Sequence, residues 1–71
     1  MGVPTSPYTA VKYYTIDAEN GFPNAQYHLG ECYETGIGVD EVDMGNAMYW
    51  YRKAAEQGYE KAIEKLKELG E

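Results

Sequence analysis

One cysteine, one histidine and one tryptophan are all that 71 residues supply of three chemically versatile side chains. The lone Cys32 excludes an internal disulfide. His28 stands four residues before it, a spacing that sets two metal ligands on one helix face. Zinc needs three or four ligands, so neither a metal nor a cofactor is expected. Cys32 reads instead as a small core hydrophobe and His28 as a side chain at the solvent edge.

Basic side chains are also few: six against twelve acids, for a net charge of −6. Residues 1–48 hold seven acids and one lysine, whereas residues 49–71 are balanced at five and five. Nucleic acid and anionic lipid both call for a basic face, so neither is expected as a partner. The acidity suits a basic or neutral protein or peptide partner, and it equally serves solubility. No run approaches 18 apolar residues, so no transmembrane helix is expected. Met1-Gly2-Val3-Pro4-Thr5-Ser6 lacks the cationic start and apolar run of a secretory signal. With the single cysteine this leans toward a cytoplasmic setting without fixing the compartment. Gly2 and Ser6 have the spacing of a myristoylation signal, but one acyl chain with no basic neighbours anchors poorly. An ordinary start followed by a helix cap accounts for the same residues.

Catalytic sets are missing too. Gly36-Ile37-Gly38-Val39 has neither the lysine nor the preceding strand of a phosphate loop. Cys32 and His28 lie along one helix with no third group to orient them, so no enzymatic activity is expected.

What the chain does have is helical periodicity. Ala25, Leu29 and Tyr33 recur at four-residue steps, and Ala47, Trp50, Tyr51, Ala54 and Ala55 at three- and four-residue steps. The Gly36-to-Val39 turn separates them. Small residues facing large aromatic ones let two helices approach closely, which describes a helical hairpin. The partners of these stripes lie in the same chain. A shift of 37 residues aligns Ala10 with Ala47, Tyr14 with Tyr51, Ala18 with Ala55 and Gly21 with Gly58. It also aligns Glu19 with Glu56, Ala25 with Ala62, Leu29 with Leu66, Glu31 with Glu68 and Glu34 with Glu71. Background frequencies give about two such matches. A period of this length marks a helical solenoid.

The run from Ala25 to Gly58 closely resembles the Sel-one-like repeat, a longer-turned relative of the tetratricopeptide repeat. It carries Ala25-x3-Leu29-Gly30-x2-Tyr33-x2-Gly36-x-Gly38-Val39 and then Ala47, Trp50-Tyr51-x-Lys53-Ala54-Ala55 and Gly58. Asn46 stands where the family usually has lysine, and the turn between Val39 and Ala47 is one residue longer than the family's. The resemblance implies an all-α fold, an α/α helical-hairpin solenoid of four antiparallel helices near 7–20, 23–35, 43–57 and 59–69. It implies one small domain over 1–71. That domain comprises the second helix of one repeat, a complete repeat over 22–58, and the first helix of a next repeat acting as a cap.

Local signals agree. Ser6-Pro7 reads as cap and first helical residue, Gly21 as a left-handed C-terminal cap, and Asp43 as the cap of the third helix. Ala10, Tyr13, Tyr14 and Ala18 form the apolar stripe of the first helix; Ala62, Leu66 and Ile63 that of the fourth. Ile37 and Val39 are expected to tuck inward from the turn.

The function implied is non-catalytic protein–protein interaction. In tetratricopeptide-like arrays the first helix of each hairpin lines the concave groove. Carried over, this selects Asn24, Tyr27, Glu31 and Glu34 on the second helix, and Lys61, Glu64 and Glu68 on the fourth. An exposed Tyr27 beside carboxylates would suit a peptide with a lysine or arginine and an apolar neighbour. A plain solvated helix face fits the same pattern. Tyr49 and Tyr59 are further candidates. The alternative is a structural module that forms a homo-oligomer through its repeat ends, covering Tyr8, Tyr13 or the Ile63–Leu66 side.

Overall fold

Ser6 starts the first helix by accepting a hydrogen bond from the Thr9 amide at 3.2 Å, with Pro7 at the first helical position. The computed structural model describes residues 6–70, and the Gly2 segment weighed above for lipidation lies outside them. Four helices follow: α1 Pro7–Glu19, α2 Pro23–Thr35, α3 Met44–Glu56 and α4 Glu60–Glu68. No strand occurs among the described residues, and no helix among them is long and apolar enough to cross a membrane. No boundary departs from its expected position by more than one residue. Asp43 caps α3 through its carboxylate, which accepts from the Asn46 amide at 3.1 Å.

The ends of α1 and α3 are the same structure 37 residues apart. Gly21, at φ +95°, donates to the Ala18 carbonyl, and the Phe22 amide reaches back to Asp17. Gly58, at φ +82°, donates to Ala55, and the Tyr59 amide reaches back to Ala54. Both are Schellman closures, which satisfy the orphan carbonyls of a helix end and turn the chain sharply into the next helix. Pro23 then begins α2 at once. The longer connection between α2 and α3 is held against α1: a Cβ on Gly38 (φ +81°) would stand 2.5 Å from the Pro7 carbonyl oxygen and 2.6 Å from Val11. Only a residue without a side chain permits that approach.

Each helix packs on the next, α1 on α2, α2 on α3 and α3 on α4, giving a body of 38 × 23 × 20 Å. Ala18, Ala25, Leu29, Ala47, Tyr51, Ala54 and Ala62 are buried, and Val11, Tyr14, Tyr33 and Trp50 close over the Ala18–Ala25–Leu29 cluster. Alanines at the crossings let helices interlock without voids. Gly30 goes further. A Cβ there would meet two carbons of the Tyr51 ring at 2.7 Å, so the ring lies directly on the α2 backbone.

Several expected positions differ. Trp50 is half-buried, flanking the core rather than filling it, and Ile63 and Leu66 are also half-buried. Tyr13 is 61% exposed although its counterpart Trp50 packs on the core, because no described helix covers that side of α1. Ile37 does not tuck inward: it is 58% exposed, while Val39 is half-buried.

Candidate partner-binding groove

α2 and α4 both lie against α3, and their outer sides frame a cleft of about 350 Å³. Its walls are Tyr27, His28 and Glu31 from α2, and Lys61, Glu64, Lys65 and Glu68 from α4. Five residues selected from sequence, Tyr27, Glu31, Lys61, Glu64 and Glu68, therefore share one concave surface. Two others do not. Asn24 is exposed at the start of α2 and does not line the cleft. Glu34 is turned inward: its carboxylate accepts a 2.6 Å hydrogen bond from the Tyr51 hydroxyl and lies 3.4 Å from the Lys65 ammonium. Tyr51 is fully buried, so its hydroxyl needs a partner, and the last turn of α2 supplies it.

Tyr27 is half-buried rather than exposed. Its ring lies among three others, with centroids at 5.6 Å from Tyr51, 5.5 Å from Tyr59 and 5.7 Å from His28. Tyr27 is the tyrosine of this cluster that lines the cleft. Burial raises the Tyr27 hydroxyl pKa, and the neighbouring Glu31 charge adds to the shift. Burial, the Glu34 hydrogen bond and the Glu34 charge push Tyr51 far above the usual phenol range. Both hydroxyls stay neutral donors near pH 7. Tyr49 lies outside the cleft, its ring edge-on to Trp50 and under the Lys53 ammonium. Tyr59 does not line the cleft; it packs against the Tyr27 ring.

Two wall residues, His28 and Lys65, were not selected from sequence, yet the 37-residue register relates them. Tyr14 stacks on His28 at 5.3 Å, and His28 Nδ1 lies 3.2 Å from Glu31. One repeat later Tyr51 lies under the Lys65 ammonium at 6.0 Å, and Lys65 is 3.8 Å from Glu68. A tyrosine ring over a nitrogen-bearing side chain, itself paired to a glutamate one turn on, thus occurs twice, with His28 in one copy and Lys65 in the other. Aligning Tyr14 with Tyr51 and Glu31 with Glu68 gave the frame; the differing residues His28 and Lys65 hid its middle member. Among the described residues no group of three His, Cys, Asp or Glu is placed to hold a metal ion.

The profile of the Sel1 repeat matches residues 1–22 and 23–59, breaking at the same Schellman closures that join α1 to α2 and α3 to α4. The chain belongs to the Sel1 repeat family. A Sel1 repeat protein from Oxalobacter formigenes, solved by crystallography, superposes with a TM-score of 0.89 at 46% identity, over 94% of this chain and 50% of that one. DAP3-binding cell death enhancer 1 of Rattus norvegicus is 45% identical over 60 residues, covering 84% of this chain and 12% of that protein. Chitin synthase regulatory factor 3 of Schizosaccharomyces pombe is 38% identical over 61 residues, covering 86% of this chain and 6% of that protein. This Sel1 repeat chain therefore spans about an eighth or less of the curated relatives it matches.

Proposed function

We propose that this chain is a non-catalytic interaction module that holds an extended segment of a partner protein in the cleft between α2 and α4. The observation that carries the reading is the convergence of Tyr27 with charged side chains from two helices on one concave surface. Isolated charges on a convex helix face are ordinary; a walled cleft with an aromatic floor is the form that peptide sites take. The names of the relatives, one DAP3-binding and one regulatory, fit such a role. The same reading takes 22–58 as one complete repeat, with α1 as the second helix of one before it and α4 as the first helix of one after.

Stacking through repeat ends is the weaker alternative. Where α2 meets α3, Gly30 lies against the Tyr51 ring and the Ala47 carbonyl, with no room for a Cβ. By the 37-residue register the counterparts on the outer helices are Lys67 on α4, and Tyr14 and Ala10 on α1. If α4 of one copy met α1 of another in the same geometry, a lysine would occupy the glycine's place against a tyrosine ring. That lysine carries a steric and desolvation cost that the internal contact avoids.

Panning a random peptide library against the purified chain tests the choice. Selected peptides are expected to lose binding to the Glu64→Lys and Lys61→Glu variants and to keep it with Tyr13→Ser. Peptides that depend on Tyr13 instead would place recognition on α1 and overturn the reading.

A further inference from the structure

A second hollow, of about 310 Å³, adjoins the cleft on its α1 side and is walled by Tyr14, Cys32, Thr35 and Ile37. It shares His28 and Glu31 with the α2–α4 cleft, so that hydrogen-bonded pair forms the ridge between the two. Their linings differ in kind. The α1-side hollow is closed by a tyrosine ring, an aliphatic side chain, a thiol and a threonine. The α4-side cleft presents Glu31, Glu64 and Glu68 against Lys61 and Lys65, and Lys65 is already engaged by Glu34 and Glu68. Burial and the Glu31 charge raise the Cys32 thiol pKa, so at neutral pH this wall stays uncharged.

Ile37 gives the hollow its meaning. It is 58% exposed at the tip of a turn whose neighbour Gly38 is fixed against α1, so the chain holds an aliphatic side chain out in water at a set place. That side chain forms the rim of the hollow instead of packing into the core.

The geometry points to a two-part site: an extended peptide whose aliphatic side chain enters the Tyr14–Cys32–Ile37 hollow while a lysine or arginine about two residues on crosses the His28–Glu31 ridge to the carboxylates of α4. Successive side chains of an extended strand alternate sides, so residues two apart face the same surface. The basic half follows from charge complementarity, three carboxylates on a chain of net charge −6. The aliphatic half follows from the uncharged walls. This inference rests on the groove reading above and adds the identity of what the groove selects.

Three capped nine-residue Gly/Ser peptides test it, titrated into the isotope-labelled full chain and followed by amide chemical shifts. One carries leucine and arginine two apart, one arginine alone, and one leucine with glutamate. The leucine–arginine peptide is expected to shift Thr35, Ile37, Glu64 and Glu68, and to bind about tenfold more tightly than the arginine peptide, the gain from burying one aliphatic side chain. The Ile37→Ser variant, altered at an exposed position, is expected to keep its melt, to reduce the leucine–arginine peptide to the level of the arginine peptide, and to leave the latter unchanged. Arginine binding at α4 with no gain from leucine and no effect of Ile37→Ser would overturn the two-part site while leaving the groove reading standing. Tighter binding of the leucine–glutamate peptide would overturn the basic half. No shift on α2 or α4 with any peptide would overturn both.

Discussion

Gly30 sets the distance between α2 and α3, and its effect runs against helix propensity. On an exposed helix, glycine to alanine gains about 1 kcal/mol. Here a Cβ would stand 2.7 Å from a fully buried ring whose hydroxyl is held by Glu34. The ring has no room to swing, and overpacking of this kind costs about 1–3 kcal/mol. Gly30→Ala is therefore expected to lower the urea midpoint despite the better helix former, and a raised midpoint would show that the ring yields. Tyr51 itself ties stability to pH. Its proton stays on in the fold well above the unfolded pKa of 10.0. Its contribution is therefore fully present below pH 10 and drains away as pH rises beyond it, since only the unfolded chain then releases the proton. Tyr51→Phe should cost about 1 kcal/mol at pH 8 through the lost hydrogen bond. Melts across pH 8–11 should show that gap narrowing above pH 10; a constant gap would refute the assignment. Tyr51 was legible from sequence as core by its recurrence with Tyr14. The inward turn of Glu34 was not: helical period places it opposite Leu29, and only α3 and α4 closing over that side bury it.

The helices are joined by more than apolar contact. Gln26 is 2% exposed and donates to the Ala18 carbonyl at 3.1 Å, tying α2 to the end of α1. Gln57, just past α3, donates to Gln26 Oε1 at 3.1 Å and to the Gly21 carbonyl at 2.9 Å. One amide pair thus links the end of α3 to the α1–α2 corner across a span of 31 to 36 residues. Gln26→Ala removes this link and leaves buried polar groups without partners, a loss of about 2 kcal/mol. Gln57→Ala, at an exposed position where water can take over, is expected to cost less than about 1 kcal/mol. Equal losses in denaturant titrations would show the buried amide to be no more than surface decoration. Helix limits and caps were readable because Ser6, Asp43, Gly21 and Gly58 act locally, through atoms within a turn of themselves. Gln26 was not, because a polar residue inside an apolar stripe carries no periodic signal, and its partners arrive only after folding. The outward setting of Ile37 was likewise invisible: aliphatic character predicts burial, and only the approach of Gly38 to Pro7 fixes the turn so that Ile37 faces away.

At the scale of the molecule, two copies of a 37-residue pattern give helices whose second members, α1 and α3, carry the tyrosines that cover His28 on α2 and Lys65 on α4. The cleft lies between the first members, α2 and α4, with Tyr27 as its aromatic floor. Lys67, at the outer counterpart of Gly30, is expected to keep the chain from stacking on itself. Sedimentation velocity over a wide concentration range should give an 8.0 kDa monomer. The Lys67→Gly variant should show concentration-dependent association. Association of the parent chain would contradict the inference drawn from that lysine. The most direct test of recognition by the cleft is an amide-shift map of the full chain saturated with a library-selected peptide. The shifts are expected to gather on Tyr27, Glu31, Glu64 and Glu68, across α2 and α4 together. Shifts gathered on Tyr8, Tyr13 and Ile16, with α4 silent, would show that the partner reads the outer face of α1 and that the cleft is not the site.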